Sequence, residues 1–369
     1  MAQLFFFAVS FLVLLFGHAA FWYGLVRFFG ISSFSGQFIA ATAVTILFVS
    51  VIVSSYLIHK WDNNFTRWYY IFSGFWIGLF VNLCLTMVAV FILKAIGDAC
   101  GLALPALVLK AILVVGAISV SLVGLYNAWN LKVEEYEVAI KDLPAFWEGK
   151  TVVQVSDVHL GPVYRRLFFS RLIDRVNKLQ PEAVFVTGDL FDGMESDFSW
   201  MNHPFRRLNA PRGAYYSFGN HDLYLGYNRV IKLLEENPIK ILDNKMVVVD
   251  GLQIIGINYS FESDFDLEEA ILRQVGYSRA QPSILLFHAP KNVELAKSAE
   301  IDLQLSGHTH DGQMWPFNLI AKWAHQGHGY GFFTEGNFNL IVNGGAGTWG
   351  PPMRTSARSE IVKIILKKK

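Results

Sequence analysis

The sequence predicts an all-helical membrane domain over residues 1–130, followed by a water-soluble α/β domain over residues 131–369. Charged residues make up 17% of the chain, against about 25% in typical soluble proteins. The shortage is confined to the first domain, whose charged residues are Arg27, Lys60, Asp62, Arg67, Lys94, Asp98 and Lys110. After residue 130, short apolar runs alternate with polar loops, which is typical of a sheet protein.

Four apolar stretches in the first domain, at about residues 4–29, 37–58, 68–93 and 102–126, are each long enough to span a bilayer. A span needs roughly 20 apolar residues as a helix. A cleaved signal peptide is the alternative for the first stretch, but its apolar run is long and no basic segment follows Met1. We therefore expect a four-helix transmembrane domain.

Four spans would leave Met1 and the second domain on the same side of the membrane. Lys60 and Arg67 would lie on that side, and Arg27 and Lys94 on the other. The rule counts only Lys and Arg, and adding the lysines at the start of the second domain makes the first count slightly larger, which favours a cytoplasmic second domain. Lys110 lies inside the fourth stretch, where snorkelling or burial within the bundle explains it more simply than a functional site does.

Charge and cysteine content exclude several classes of protein. The net charge is +1, so no basic field indicates a nucleic-acid-binding surface. Both cysteines, Cys84 and Cys100, lie in the apolar third. The second domain therefore has no disulfide framework, cysteine metal site or cysteine nucleophile.

The second domain has a regular pattern of predicted strands. Tyr136, Val138 and Ile140 alternate with Glu135 and Glu137, which indicates a strand with one solvated face. Further strands are predicted at 151–155, 183–187, 214–218, 252–257, 283–287, 302–305, 339–342 and 360–366, and helices at 165–179 and 230–236.

Five of these strands end in loops that carry Asp, His or Asn close to Gly. Open α/β sheets bind ligands just outside the carboxyl ends of their strands, so these side chains are expected to converge. The converging residues are Asp157, His159, Asp189, Asn220, His221, His288, His308 and His310.

This donor set contains oxygen and imidazole ligands and no thiolate, which suits Mn, Fe or Zn. It is larger than one tetrahedral ion requires. Two ions about 3.5–4 Å apart, sharing a carboxylate, would use the set and could clamp a phosphoryl group. The sequence therefore predicts two divalent metal ions of unspecified identity.

Five ordered blocks resemble those of the calcineurin-like metallophosphoesterase superfamily. They are Asp157-Val-His159, Gly188-Asp189, Gly219-Asn-His-Asp222, His288 and Gly307-His-Thr-His310. The resemblance covers essentially the whole second domain and leaves out the membrane part. It implies a four-layer αββα sandwich and hydrolysis of phosphate mono- or diesters or pyrophosphate bonds.

The resemblance also implies a role for each residue. Asp189 would bridge the ions, His221 would bind a phosphate oxygen or protonate the leaving group, and Asp222 would orient His221. One ion would be held by Asp157, His159 and His310, and the other by Asn220, His288 and His308.

Residues 344–354, with His310-Asp-Gly-Gln313 and Trp315-Pro-Phe317, resemble bacterial membrane-associated members of this superfamily. That branch includes UDP-2,3-diacylglucosamine pyrophosphatase-like proteins. It implies an integral protein of the bacterial inner membrane, with the lipid bilayer and a phosphate ester, which a lipid can carry, as partners. Oligomeric state is not indicated.

Some polar residues outside the blocks have two explanations. Arg354 could clamp a phosphate through its guanidinium or lie on the surface. His325 and His328 could line a substrate mouth or belong to an ordinary Gly-rich loop. Asp192, Asp197 and His203 are expected in a solvated loop.

The sequence thus favours a membrane-anchored, metal-dependent phosphoesterase with a lipid-linked or membrane-proximal substrate. Two alternatives remain open at this point. The chain could be a membrane receptor or transporter whose phosphoesterase-like domain is regulatory, or a phosphoesterase for soluble nucleotides whose spans only localise it.

Overall fold

The computed structural model describes residues 2–261 and 265–369. Its helices are α1 (Ala2–Phe29), α2 (Phe34–Lys60), α3 (Asn64–Ala99), α4 (Ala106–Trp129), α5 (Arg166–Lys178), α6 (Asn202–Phe205), α7 (Asn220–Leu225), α8 (Tyr227–Leu234), α9 (Phe265–Gln274), α10 (Val293–Ser298) and α11 (Phe317–Ala324). Short 3₁₀ helices cover Ser199–Met201 and His310–Gly312.

The strands are β1 (Lys132–Ile140), β2 (Thr151–Val155), β3 (Ala183–Thr187), β4 (Ala214–Ser217), β5 (Lys240–Ile241), β6 (Lys245–Val249), β7 (Leu252–Ile257), β8 (Ser283–Phe287), β9 (Leu303–Ser306), β10 (Gly331–Glu335), β11 (Phe338–Val342) and β12 (Glu360–Lys368).

The first four helices confirm the four predicted apolar helices. Each is long and apolar enough to cross a membrane, and α3, with 36 residues, would extend about 54 Å. The start of α3 is fixed by a capping box. The Asn63 side chain accepts a hydrogen bond from the backbone N–H of Thr66, and the Thr66 hydroxyl oxygen accepts one from the backbone N–H of Asn63.

The chain divides into two compact units. The helical unit extends to Gly124 and includes Gly350–Pro352, and the α/β unit comprises Leu125–Trp349 and Met353–Lys369. The predicted boundary, between residues 130 and 131, lies in the short connection between α4 and β1. The division into units comes earlier, after Gly124, and therefore places the last turn of α4 in the α/β unit.

Two six-stranded mixed sheets form the α/β unit. The first has the order β1-β12-β2-β3-β4-β5, in which β2 to β5 run parallel. The second has the order β10-β11-β9-β8-β7-β6, in which β7, β8, β9 and β11 run parallel. Parallel strands within each sheet bring several carboxyl ends to one edge.

Three apolar cores separate four layers. One lies between the sheets and includes Phe185 and Leu286. A second joins the outer face of the first sheet to α5, for example through Val186 and Phe169. The third joins the second sheet to α10 through residues such as Leu285. The expected αββα sandwich is therefore confirmed.

The buried strands match their predictions most closely. The predicted limits of β2, β3, β7 and β8 agree with the structure residue for residue. These strands are almost entirely buried and mostly apolar, which gives short apolar runs that are easy to recognise. Short elements such as β5 and α6, and the helix α11, were not predicted.

Candidate metal centre

The predicted polar residues gather at the carboxyl ends of strands from both sheets. Asp157 and His159 follow β2, Asp189 follows β3, and Asn220 follows β4 in the first sheet; His288 follows β8, and His308 and His310 follow β9 in the second. All of them are buried except His308, which is half-buried. The two sheets thus contribute to a single cluster.

The loops that carry these side chains have an unusual backbone. Five of the candidate ligands adopt left-handed φ values, namely Asp157 (51°), His159 (52°), Asp189 (50°), His308 (71°) and His310 (52°). Such conformations cost energy and cluster at functional sites. Gly307 is required at its position because an added Cβ would lie 2.0 Å from the Ser156 Oγ atom and 2.2 Å from the Asp157 Oδ2 atom.

One group of donors consists of Asp157, His159 and His310. The Nε2 atom of His310 lies 3.3 Å from Asp157 Oδ1 and 3.1 Å from His159 Nε2. One ligand atom from each residue falls within 4.8 Å of the others. Two imidazole nitrogens and a carboxylate oxygen at these separations could bind one cation together.

A second group consists of Asp189, His288 and His308. The Nε2 atom of His288 lies 3.1 Å from Asp189 Oδ2 and 3.3 Å from His308 Nδ1. Asp189 also belongs to a third group, with His159 and His221. The Asp189 carboxylate therefore lies between the two main groups, where a bridging ligand would be needed.

Hydrogen bonds leave His288 with one nitrogen for a metal. Its Nδ1 atom lies 2.8 Å from the Thr187 carbonyl oxygen. Because a carbonyl can only accept, Nδ1 carries a hydrogen, and Nε2 is the nitrogen left for a metal once it is deprotonated. Fixing one nitrogen in this way orients a metal-binding imidazole.

Asn220 supplies an oxygen suited to a cation. Its side chain is buried, and among the described residues its Oδ1 atom has no hydrogen-bond partner. A buried amide oxygen without a partner is costly, whereas a divalent ion would satisfy it. Together with the carboxylates and imidazoles, this atom makes the cluster fit a dinuclear site.

Burial and neighbouring charges shift the pKa values of the cluster. Burial raises the pKa of Asp157 and lowers the pKa of His308 to about 3. Burial would also lower the pKa of His288, but the carboxylates of Asp189 and Asp157, together with the Thr187 carbonyl, more than offset this and raise it to about 9. Burial would raise the pKa of Asp189, but the neighbouring His288, His221 and His159 together more than offset this and lower it. Without a metal, these two side chains are held as an ion pair.

His221 lies beside the metal ligands and is half-buried. Its backbone N–H donates to Asp189 Oδ1 at 2.8 Å, and its ring centroid lies 4.7 Å from that of His159. Its Nδ1 atom lies 2.9 Å from the Asp192 carbonyl oxygen. Nδ1 therefore carries a hydrogen, and Nε2 is the nitrogen that can exchange a proton.

The expectation that Asp222 orients His221 is wrong. The buried Asp222 carboxylate accepts the backbone N–H groups of Asp189, Phe191 and Gly219 at 2.7, 3.0 and 2.8 Å. It fixes the backbone of two site loops, and the Asp192 carbonyl contacts the imidazole of His221 instead. Burial raises the pKa of Asp222 to about 7.

Both explanations offered for Arg354 are wrong. This side chain is fully buried, so it is not a surface arginine. Its guanidinium donates to the carbonyl oxygens of Gly347 and His310 and lies 3.0 Å from His310 Nδ1. Because its donors are engaged with the protein, Arg354 supports the His310 loop and is not placed as a phosphate clamp.

Asp192 was missed as a site residue. It was expected in a solvated loop, but it is buried and its Oδ1 atom lies 3.3 Å from His159 Nδ1. His325 lies near the site, with its ring centroid 6.0 Å from that of His308. His328 instead lies 3.7 Å from the exposed Glu335. The only sequence signal for Asp192 was its position three residues after Asp189.

Comparison with known proteins supports the assignment of the cluster as a metal centre. Residues 150–312 match the model of the calcineurin-like phosphoesterase family. The chain is 34% identical over 269 residues to an uncharacterized metallophosphoesterase of Campylobacter jejuni, covering 71% of this chain and 72% of that protein.

Two further relatives are matched over different shares of their own length. A transmembrane protein with a metallophosphoesterase domain from Danio rerio is 32% identical over 267 residues, which cover 66% of this chain and 59% of that protein. An uncharacterized metallophosphoesterase of Aquifex aeolicus is 29% identical over 262 residues, which cover 67% of this chain and 97% of that protein. With the donor cluster at the strand ends, these similarities show that the chain belongs to the calcineurin-like phosphoesterase family.

Proposed function

We propose that this protein is a membrane-anchored phosphoesterase that uses two divalent metal ions to hydrolyse phosphate mono- or diesters or pyrophosphate bonds. The observation that supports the dinuclear site is the position of Asp189, which belongs to two donor groups. A carboxylate with two oxygens in this position can serve both ions.

Each ion would draw ligands from both sheets. Asp157, His159 and His310 would hold one ion, and Asn220, His288 and His308 the other, with Asp189 shared. Ions bound there would polarise a phosphoryl group and lower the pKa of water. Mn, Fe or Zn would suit the oxygen and imidazole ligands.

His221 would act as the proton donor of the reaction. The Asp192 carbonyl engages Nδ1, so the proton would be carried on Nε2. A protonated Nε2 would donate to a phosphoryl oxygen or to the leaving oxygen. Asp222 would contribute indirectly, by holding the backbone next to Asp189.

The substrate that we propose is a phosphate ester carried on a lipid or held close to the membrane. The four apolar helices support membrane association. A tether raises the local concentration of a membrane-bound substrate without adding contacts to it. The bacterial inner membrane, with the α/β domain on the cytoplasmic side, is the location that we propose.

A substrate panel on the metal-reconstituted full-length chain tests the proposed function. We expect hydrolysis of lipid phosphates in vesicles, and the loss of this activity in Asp189→Asn. Hydrolysis of soluble nucleotides alone would favour localisation by the spans without a lipid substrate. If no phosphate ester is hydrolysed although both ions are bound, the regulatory-domain alternative gains support.

A further inference from the structure

The helix α11 presents an apolar surface that its own domain does not cover. Every side chain of α11 is exposed or half-buried. Leu319, Ile320 and Trp323 are 60%, 58% and 83% exposed, and Trp315, just before the helix, is 52% exposed. Residues three and four apart share a helix face, so Trp323 lies beside both Leu319 and Ile320. A cluster of this kind marks an interaction surface.

The composition around α11 favours lipid as the partner. Residues 312–334 contain no Asp or Glu, and Lys322 lies within the helix. Tryptophan is enriched at membrane–water interfaces. Trp, Phe and Leu on one face with a lysine nearby are typical of a helix that lies in the plane of the bilayer surface.

The chain connection keeps this domain at the membrane. α4, the fourth candidate span, ends at Trp129, and β1 begins at Lys132. Only two residues separate these elements, so the domain cannot move far from the bilayer.

The two ends of α11 lie close to the metal centre. Its first residue follows the proposed ligand His310 by seven positions. His325, which follows its last residue, returns to within 6.0 Å of the His308 ring, measured between centroids. A membrane contact made by α11 would therefore bring the metal centre close to the lipid headgroups.

We propose that the α11 surface, defined by Trp315, Leu319, Ile320 and Trp323, lies in the bilayer at the boundary between headgroups and acyl chains. Its apolar side chains enter the lipid by about 5–10 Å, as in other interfacial helices. This contact adds a second attachment to the transmembrane helices and fixes the distance of the metal centre from the membrane. It does not depend on the reaction or on the number of ions.

Spin labels on the full-length chain in lipid nanodiscs test the proposal. Cys84 and Cys100 are replaced by alanine, and single cysteines are placed by Leu319→Cys and Trp323→Cys. Val248→Cys, at a 53% exposed apolar position of β6, is the matched control. We expect the ratio of oxygen to nickel-chelate collisions to be several-fold higher at positions 319 and 323 than at position 248.

Other results would contradict the proposal. Low oxygen-to-nickel collision ratios that are equal at all three positions would place α11 in water. Dipolar broadening at position 319 in nanodiscs with two chains, together with free nickel access in nanodiscs with one chain, would identify a second copy as the partner. Immersion only after a lipid phosphate is added would assign the surface to substrate alone. Since the collision ratio is measured without catalysis, an inactive protein with immersed labels would contradict only the proposed function.

Discussion

Asp192 lies against His159, with its Oδ1 atom 3.3 Å from the imidazole Nδ1 atom. Its carbonyl oxygen lies 2.9 Å from His221 Nδ1. One residue therefore orients both a proposed metal ligand and the proposed proton donor, through two different groups.

Asp192→Asn should weaken metal binding. In this variant the backbone carbonyl of residue 192 still contacts His221, but the side chain no longer carries a negative charge beside His159. Replacing such outer partners typically costs about 10–100-fold in metal affinity or activity. Titration of the metal-free protein with Mn or Zn measures the affinity. Asp197→Asn, at an exposed position five residues away, is the control and should leave the affinity unchanged.

Arg354→Lys should disturb the His310 side of the centre. Lysine keeps the charge but cannot reproduce the forked contacts with Gly347 and His310. We expect about 10–100-fold lower activity, with the binding of one ion weakened more than that of the other. Metal content and hydrolysis rate are measured on the same sample. Arg229→Lys, whose ion pair with Glu195 is exposed, should behave like the wild type; equal effects in both variants would refute the supporting role.

Asp189→Asn and His159→Ala should differ in their effect on the ions. Asp189 belongs to the donor group of His288 and His308 and also to a group with His159, which is a proposed ligand of the other ion, so its replacement should disturb both ions. His159→Ala should mainly weaken the ion held with Asp157 and His310. Metal content per purified chain distinguishes these outcomes. A wild type that binds one ion at saturation, together with an Asp189→Asn variant that retains it fully, would rule out the dinuclear site.

His221→Ala should separate chemistry from metal binding. The variant should keep both ions and lose about 10²–10⁴-fold in rate, the usual contribution of a positioned acid. The loss should be smaller for p-nitrophenyl esters, because their leaving groups need little protonation. A loss of metal would make His221 a ligand, in agreement with its place in the third donor group. An equal loss on good and poor leaving groups would indicate charge stabilisation instead.

Glu360→Gln should change how stability depends on pH. Burial raises the pKa of Glu360 from 4.5 to about 7. The folded state therefore binds this proton more tightly than the unfolded state, and the free energy of unfolding falls as the pH rises between these values. In glutamine, Oε1 can still accept the Gly344 N–H, the amide NH2 can donate to the Tyr330 hydroxyl oxygen, and there is no charge to bury.

Thermal melting of the full-length chain at about pH 5 and pH 8 checks this prediction. This pH range covers most of the interval between the ordinary pKa of Glu360, 4.5, and its raised pKa of about 7. The wild-type melting temperature should fall more between these conditions than that of the variant. If both proteins lose the same amount, the Glu360 carboxyl does not contribute.

The longer buried elements and most of the cluster could be predicted because their signals are local. Buried strands such as β3 give unbroken apolar runs, and the donors lie immediately after them in the chain. Parallel strands then bring distant loops together, which explains how Asp189 and His288 could be expected at one site.

The errors concern the direction and depth of individual side chains. The sequence places Asp222 next to His221, but the sharp turn after β4 directs its carboxylate to three backbone N–H groups. Arg354 is fully buried although arginine is mostly exposed in proteins. The helix α11 was not predicted because it has only eight residues, which are too few for the spacing of its apolar side chains to give a clear helical signal.

Each proposed ion would join the two sheets of the sandwich, since both ligand sets include residues from the first sheet and from the second. A small slide of one sheet over the other would change the spacing between the ions. The apolar core between the sheets, with Phe185 and Leu286 at its interior, would therefore help to set the distance between the two proposed ions. Substitutions far from the metal centre that loosen this core should alter turnover before they unfold the protein.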